Sequence, residues 1–147
     1  MITQIGSQSR TYILDHHYQE YLGFIYEEVI RNSLYSLALQ KKIPFMPHET
    51  GKWWENIFRN GQWMESEIDV AASDGNHILL GECRYRNRKA GVSEYENLKR
   101  EADFAVKKTS DVFWLIASDD GFTEDLKNIH DDHLILIEQD QVIRTAV

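Results

Sequence analysis

Four side chains in one short stretch, Glu67, Asp69, Glu82 and Arg84, are of the types that hold a divalent cation beside a phosphate. Two apolar-rich runs carry them and flank Asp74-Gly75-Asn76, a two-residue hairpin signal. A loop centred on Asp74-Gly75 sets Glu67 opposite Glu82. A loop centred on Gly75-Asn76 sets Asp69 opposite Glu82 and Glu67 opposite Arg84. In either register, side-chain alternation puts all four on one face, and only a three-residue loop or a bulge would break that parity. Carboxylates crowded on an apolar hairpin repel one another and lose solvation, and a divalent cation offsets both costs. The plainer alternative is a wet edge hairpin with scattered acids.

In the metal reading, Asp69 and Glu82 each give an oxygen to Mg²⁺ or Mn²⁺, and the backbone carbonyl of Cys83 with waters completes the shell. Such an ion lowers the pKa of a bound water and neutralises charge on a phosphoryl group. Arg84 then holds the scissile phosphate, and Glu27 approaches the ion from a first helix. This is a constellation for phosphodiester hydrolysis.

The elements that must position these residues follow from pattern. Met1 to about residue 14 reads as a flexible lead-in, and residues 15–147 as one domain, long enough to bury a core. A long helix starts near Asp15, its expected N-cap, with an apolar stripe through Tyr18, Tyr21, Leu22, Ile25, Val29 and Leu37. Of its two mid-helix acids, Glu27 and Glu28, one is free to turn inward. Pro44 and Pro47 end the helix, and Ile43–Met46 reads as a short extended piece. Trp53, Trp54, Phe58 and Trp63, among Gly51, Asn60 and Gly61, read as a strand or irregular aromatic stretch whose rings fill the core. After the 67–86 hairpin, Ser93 and Glu96 have capping-box spacing for a second helix through Lys108. Val112–Ala117 is a continuous apolar run, as a strand buried on both faces requires. Thr123 caps a short helix, and His133–Glu138 is a last strand. An α/β sandwich follows, with the second helix crossing between parallel strands.

Charge supports the same region. The formal net charge is −8, yet residues 84–108 hold eight Lys/Arg against four acids. Within that basic segment, Arg86, Arg88, Lys89, Lys99 and Arg100 form a candidate rim for nucleic-acid phosphates; a solvated helix face is the alternative. No run is apolar enough to span a membrane, and Cys83, alone, suits a reducing, cytoplasmic setting. By alternation the Cys83 side chain faces away from the acids. His130-Asp131-Asp132-His133 reads as a polar turn. No phosphate-binding Gly-x-x-x-x-Gly-Lys-Ser/Thr stretch is present.

Asp69, a hairpin, then Glu82-Cys83-Arg84, preceded by a helix with Glu27, resembles the PD-(D/E)xK nuclease superfamily. Tyr21–Glu28, Gly51–Trp54, Glu67–Val70, Gly81–Arg84 and Ser118–Thr123 together resemble the nuclease-like C-terminal domain of archaeal-type AAA ATPases, over residues 15 to 140. The resemblance implies a restriction-endonuclease-like αβββαβ core, with a mixed central sheet flanked by helices. It also implies Asp69 and Glu82 as metal ligands, Glu27 as the first-helix acid, DNA as substrate, and an AAA ATPase module in cis or trans as partner. A homo-oligomer is left open. Arg84 stands where the pattern has Lys; it keeps the charge but cannot act as a base. Lys99 or Arg100 is the expected replacement, and a nuclease fold retired to DNA binding or assembly is the alternative function.

Overall fold

Asn60-Gly61 and Gly75-Asn76 divide the middle of the chain into three antiparallel strands. Asn60 and Gly61 both have positive φ (53° and 76°), as the tight hairpin turn between the first two strands requires. The computed structural model describes residues 7–85, 88–105 and 111–138. In order these form helix α1 (Ser7–Leu39), strands β1 (Glu49–Arg59), β2 (Gln62–Ser73) and β3 (His77–Arg84), helix α2 (Val92–Ala105), strand β4 (Asp111–Ser118), helix α3 (Glu124–Lys127) and strand β5 (Leu134–Glu138). Up to β4 this is the expected αβββαβ order.

The sheet runs β1-β2-β3-β4-β5. The first three strands pair antiparallel, and β3, β4 and β5 pair parallel. α2 makes the expected crossover from β3 to β4. The helices cover opposite faces, giving a mixed α/β sandwich. On one face Tyr26, Ile30, Leu34 and Leu37 of α1 pack on Val70, Ala72, Leu79 and Leu115. On the other, Tyr95, Leu98 and Ala102 of α2 pack on Ile68, Leu80 and Ile116, with Leu126 of α3. Thr123 caps α3 as expected, accepting from the Leu126 amide. Among the described residues no helix is long and apolar enough to cross a membrane.

Several expectations need correction. α1 begins at Ser7, so Asp15 lies inside it and residues 7–14 are helical rather than a lead-in. Its buried stripe is Tyr26, Ile30, Leu34 and Leu37, while Tyr18, Tyr21 and Ile25 are exposed. The α1 residues packed on the sheet come from the later half of the helix, so at Tyr18, Tyr21 and Ile25 the same spacing meets solvent. Ile43–Met46 is a turn rather than a strand, although Ile43 and Phe45 are buried. Trp54, Phe58 and Trp63 do not fill the core: they are 61%, 60% and 72% exposed. The outer half of the β1–β2 hairpin carries them beyond the helices, and only Trp53 packs against the α2-side core.

Gly81, in β3, lies tight between side chains of β2 and β4. A Cβ there would meet Val70 Cβ at 3.1 Å and Leu115 Cδ2 at 3.2 Å, beneath α1. Gly81→Val is therefore expected to lower the unfolding free energy by about 1–3 kcal/mol through overpacking. Urea denaturation checks it, and a variant as stable as wild type would show that the strands part freely.

Candidate metal centre

The β2–β3 register, Val70–Gly81 through Ser73–Ile78, centres the loop on Gly75-Asn76. Asp74 fixes that loop, its Oδ1 accepting from the Asn76 and His77 amides at 2.8 and 2.7 Å. The ladder stops one residue short of Asp69. There the side chain makes the next link: the Cys83 N–H donates to Asp69 Oδ2 at 3.1 Å.

A bulge explains why Asp69 is free to do this. Between the pairs Gly51–Ala71 and Trp53–Ile68, two steps along β1 match three along β2. The extra β2 residue inverts the alternation. Val70 and Ala72 face α1, whereas Ile68 faces α2. Glu67 therefore turns toward α1, away from the face it would share with Glu82 in a regular strand. Carboxylate oxygens of Glu27, Glu67 and Asp69 meet within 4.8 Å of one another. Arg31 ties helix to strand, donating to the Asp69 carbonyl at 2.9 Å and lying 4.0 Å from Glu27 Oε2. Lys52, on β1 opposite the bulge, is ion-paired with Glu67. A cleft of about 440 Å³ opens beside Glu27, with Glu20, Gly23, Phe24, Cys83, Arg84 and Tyr85 as its other walls.

Electrostatics match the crowding. Burial, and then the Asp69 charge, push the Glu27 carboxyl up to about 7. Burial also raises Asp69, with the Cys83 amide opposing it. Glu82 is likewise pushed up to about 7, by burial and then by Asp69, against the pull of Arg84. Carboxyl groups raised in this way make the fold most stable where they stay protonated. That stability is complete below their ordinary range and is lost as pH climbs through about 7. In EDTA the thermal midpoint should therefore fall from about pH 5 to about pH 8, and Glu27→Gln should flatten the fall. Parallel profiles for the two proteins would contradict the assignment.

The predicted site residues separate into groups. Glu27 and Asp69 come together as expected, and Glu28 is exposed. Glu67, named on the hairpin face but not as a ligand, joins them. Glu82 is not one of the three: half-buried, it lies 4.0 Å from Arg84 and feels Asp69, Glu94 and Glu101. Arg84 is held by Glu94, donating to its Oε1 at 2.9 Å, while Arg88 donates to the same oxygen at 2.8 Å. The Cys83 side chain packs on the α1 side and lines the cleft, away from Glu82 and Arg84 as alternation predicts but on the side of Glu27 and Asp69. Burial holds its thiol well above the ordinary range, which disfavours the thiolate. Arg86 falls outside the described residues. Lys89, Lys99 and Arg100 are exposed; Lys99 sits 4.9 Å over the Tyr95 ring and Arg100 donates to Asn97 at 3.0 Å.

Two functional candidates were missed. Lys52 had no local signal, because only strand pairing brings it to the acids. Glu94 did have one: it is the third residue of α2, and its Oε2 accepts from the Gly91 amide at 2.8 Å. The capping pair is thus Gly91 and Glu94, two residues earlier than the expected Ser93 and Glu96.

A 74-residue segment of the chain is 31% identical to an uncharacterised protein, MJECL04, of Methanocaldococcus jannaschii; it is 49% of this chain and 15% of that protein. The chain therefore spans a small part of the relative's length. Among solved structures, a protein of unknown function, AF1548, aligns with 18% identity and a TM-score of 0.46, over 80% of this chain and 64% of that one. A repair endonuclease from Pyrococcus abyssi aligns with 20% identity and a TM-score of 0.42, over 69% of this chain and 42% of that one. Residues 3–102, more than half the chain, match the DUF234 family, described as "Archaea bacterial proteins of unknown function". The chain belongs to that family.

Proposed function

We propose that the chain is a metal-dependent nuclease domain that hydrolyses phosphodiester bonds of DNA, of the PD-(D/E)xK kind, acting as a module of an AAA ATPase. The observation that carries the reading is the meeting of Glu27, Glu67 and Asp69 across α1 and a bulged β2. The donor set fits the ion. All are hard carboxylate oxygens, half-buried or at the surface, and their mutual repulsion leaves charge for Mg²⁺ or Mn²⁺ to neutralise. Glu82, which feels the Asp69 charge, and the Cys83 carbonyl are the further oxygens in reach of the proposal. A bound ion would supply an activated water and neutralise phosphoryl charge.

The protein's own groups do the rest. Arg84 borders the cleft, and Glu94 holds its guanidinium. Phe24 and Tyr85 wall the same cleft. Arg86, Arg88, Lys89, Lys99 and Arg100 are proposed to follow the DNA backbone. The test is cleavage of linear DNA with Mn²⁺ or Mg²⁺. Wild type is expected to cleave, and Asp69→Asn and Glu27→Gln to lose cleavage. A wild type inert with both ions rejects hydrolysis.

One observation favours a second reading. The motif cation, Arg84, is committed to the buried Glu94. A retired nuclease fold that binds DNA or assembles with an ATPase predicts no cleavage. It also predicts that Asp69→Asn raises stability in EDTA, because repulsion is relieved.

A further inference from the structure

We propose that Lys52, not Arg84, is the site's phosphate-contacting cation: it neutralises the acids while no divalent ion is present and turns to the substrate phosphate once one binds. The inference rests on the proposed cation site. Each cation near the acids has a different commitment. Arg31 is spent on structure, bonded to the Asp69 carbonyl and stacked one turn from Glu27. Arg84 shares one buried carboxylate, Glu94, with Arg88; Glu94 is only 3% exposed. Among the described residues Lys52 is ion-paired with Glu67 alone, which is exposed, and its own side chain is a third exposed.

Its placement comes from the same bulge that gathers the acids. β1 puts Lys52 between Gly51, paired with Ala71, and Trp53, paired with Ile68, so it faces the extra β2 residue. Its ammonium feels Glu67, Glu27 and Asp69 together. An ion that takes Glu67 as a ligand removes the partner of Lys52. The freed ammonium, a compact charge on a flexible stem, then lies beside the ion with three donors to offer a phosphate oxygen. A guanidinium fixed in a buried pair has no such freedom.

Lys52→Met and Lys52→Arg test this with three readouts: Mn²⁺-dependent cleavage, the Mn²⁺ response of the thermal midpoint, and binding of a labelled DNA duplex with a single-stranded overhang in Ca²⁺. Lys52→Met is expected to cleave about 100-fold more slowly, to keep its Mn²⁺ response with an unchanged or lower half-saturation, and to bind DNA with a salt slope smaller by about one. Lys52→Arg should recover part of both losses. Cleavage and salt slope equal to wild type overturn the proposal. So does a lost Mn²⁺ response, which would mean that Lys52 shapes the site rather than contacting phosphate. A wild type that binds DNA without cutting it rejects hydrolysis alone, and Lys52 is then decided by the salt slope. A wild type that neither binds nor cuts rejects both.

Discussion

Wild-type protein titrated with Mn²⁺ is expected to unfold at rising temperature, while Asp69→Asn keeps one midpoint throughout. At a Mn²⁺ concentration about 100 times the dissociation constant, binding to the native state alone adds about 2.7 kcal/mol. For a chain of this size that corresponds to a rise of about 5–10 °C. The direction follows from the site. Glu27, Glu67 and Asp69 sit within 4.8 Å of one another, and burial leads the causes that raise Glu27 and Asp69. An ion relieves that cost only in the folded chain, because α1 and β2 come together only there. Asp69 is the sharpest test because it lies in the bulge and also holds the Cys83 amide. Asn keeps an oxygen for that amide while removing the charge. A midpoint indifferent to Mn²⁺ in wild type would leave the acids as a repulsive cluster and nothing more.

The second large effect concerns Glu94. This carboxylate accepts from Arg84, Arg88, the Gly91 amide and the Ser93 hydroxyl, and is nearly inaccessible to solvent. Burial disfavours its charge, but the Gly91 amide and its other donors outweigh that and hold the carboxyl below its ordinary value. It joins the end of β3 to the start of α2. Glu94→Ala leaves the Arg84 guanidinium without its partner and opens the helix N-terminus. Breaking a buried pair from one side costs about 3–5 kcal/mol. Glu94→Gln keeps an oxygen for the cap and should lose less. Urea unfolding at constant m-value reads both. An Ala variant within about 0.5 kcal/mol of wild type would show that water replaces every donor and that Arg84 is not held.

The comparison of these two sites shows where local pattern suffices. The hairpin at residues 74–76, the crossover helix, the doubly buried β4 and the Thr123 cap all depend on neighbours within a few residues and are visible in the chain, although the two possible hairpin registers are separated only by the strand pairing. The approach of Glu27 to Asp69 follows the resemblance, whereas Glu82, expected beside them, is not in the three-acid group. Glu94 was legible too, since Gly91 and Glu94 have the spacing by which a third helical residue reaches back to the cap.

What the tertiary structure alone decided is which acid stands beside which cation. One extra residue in β2, present only because of how β2 pairs with β1, inverts the faces from Ile68 outward. That inversion turns Glu67 and Asp69 to the face that Glu27, the Cys83 side chain and Lys52 already share, and leaves Glu82 outside the three-acid group. Strand alternation has a period of two, so a single inserted residue exchanges every side-chain direction beyond it. Composition along β2 carries no mark of that insertion, because its cause lies on another strand.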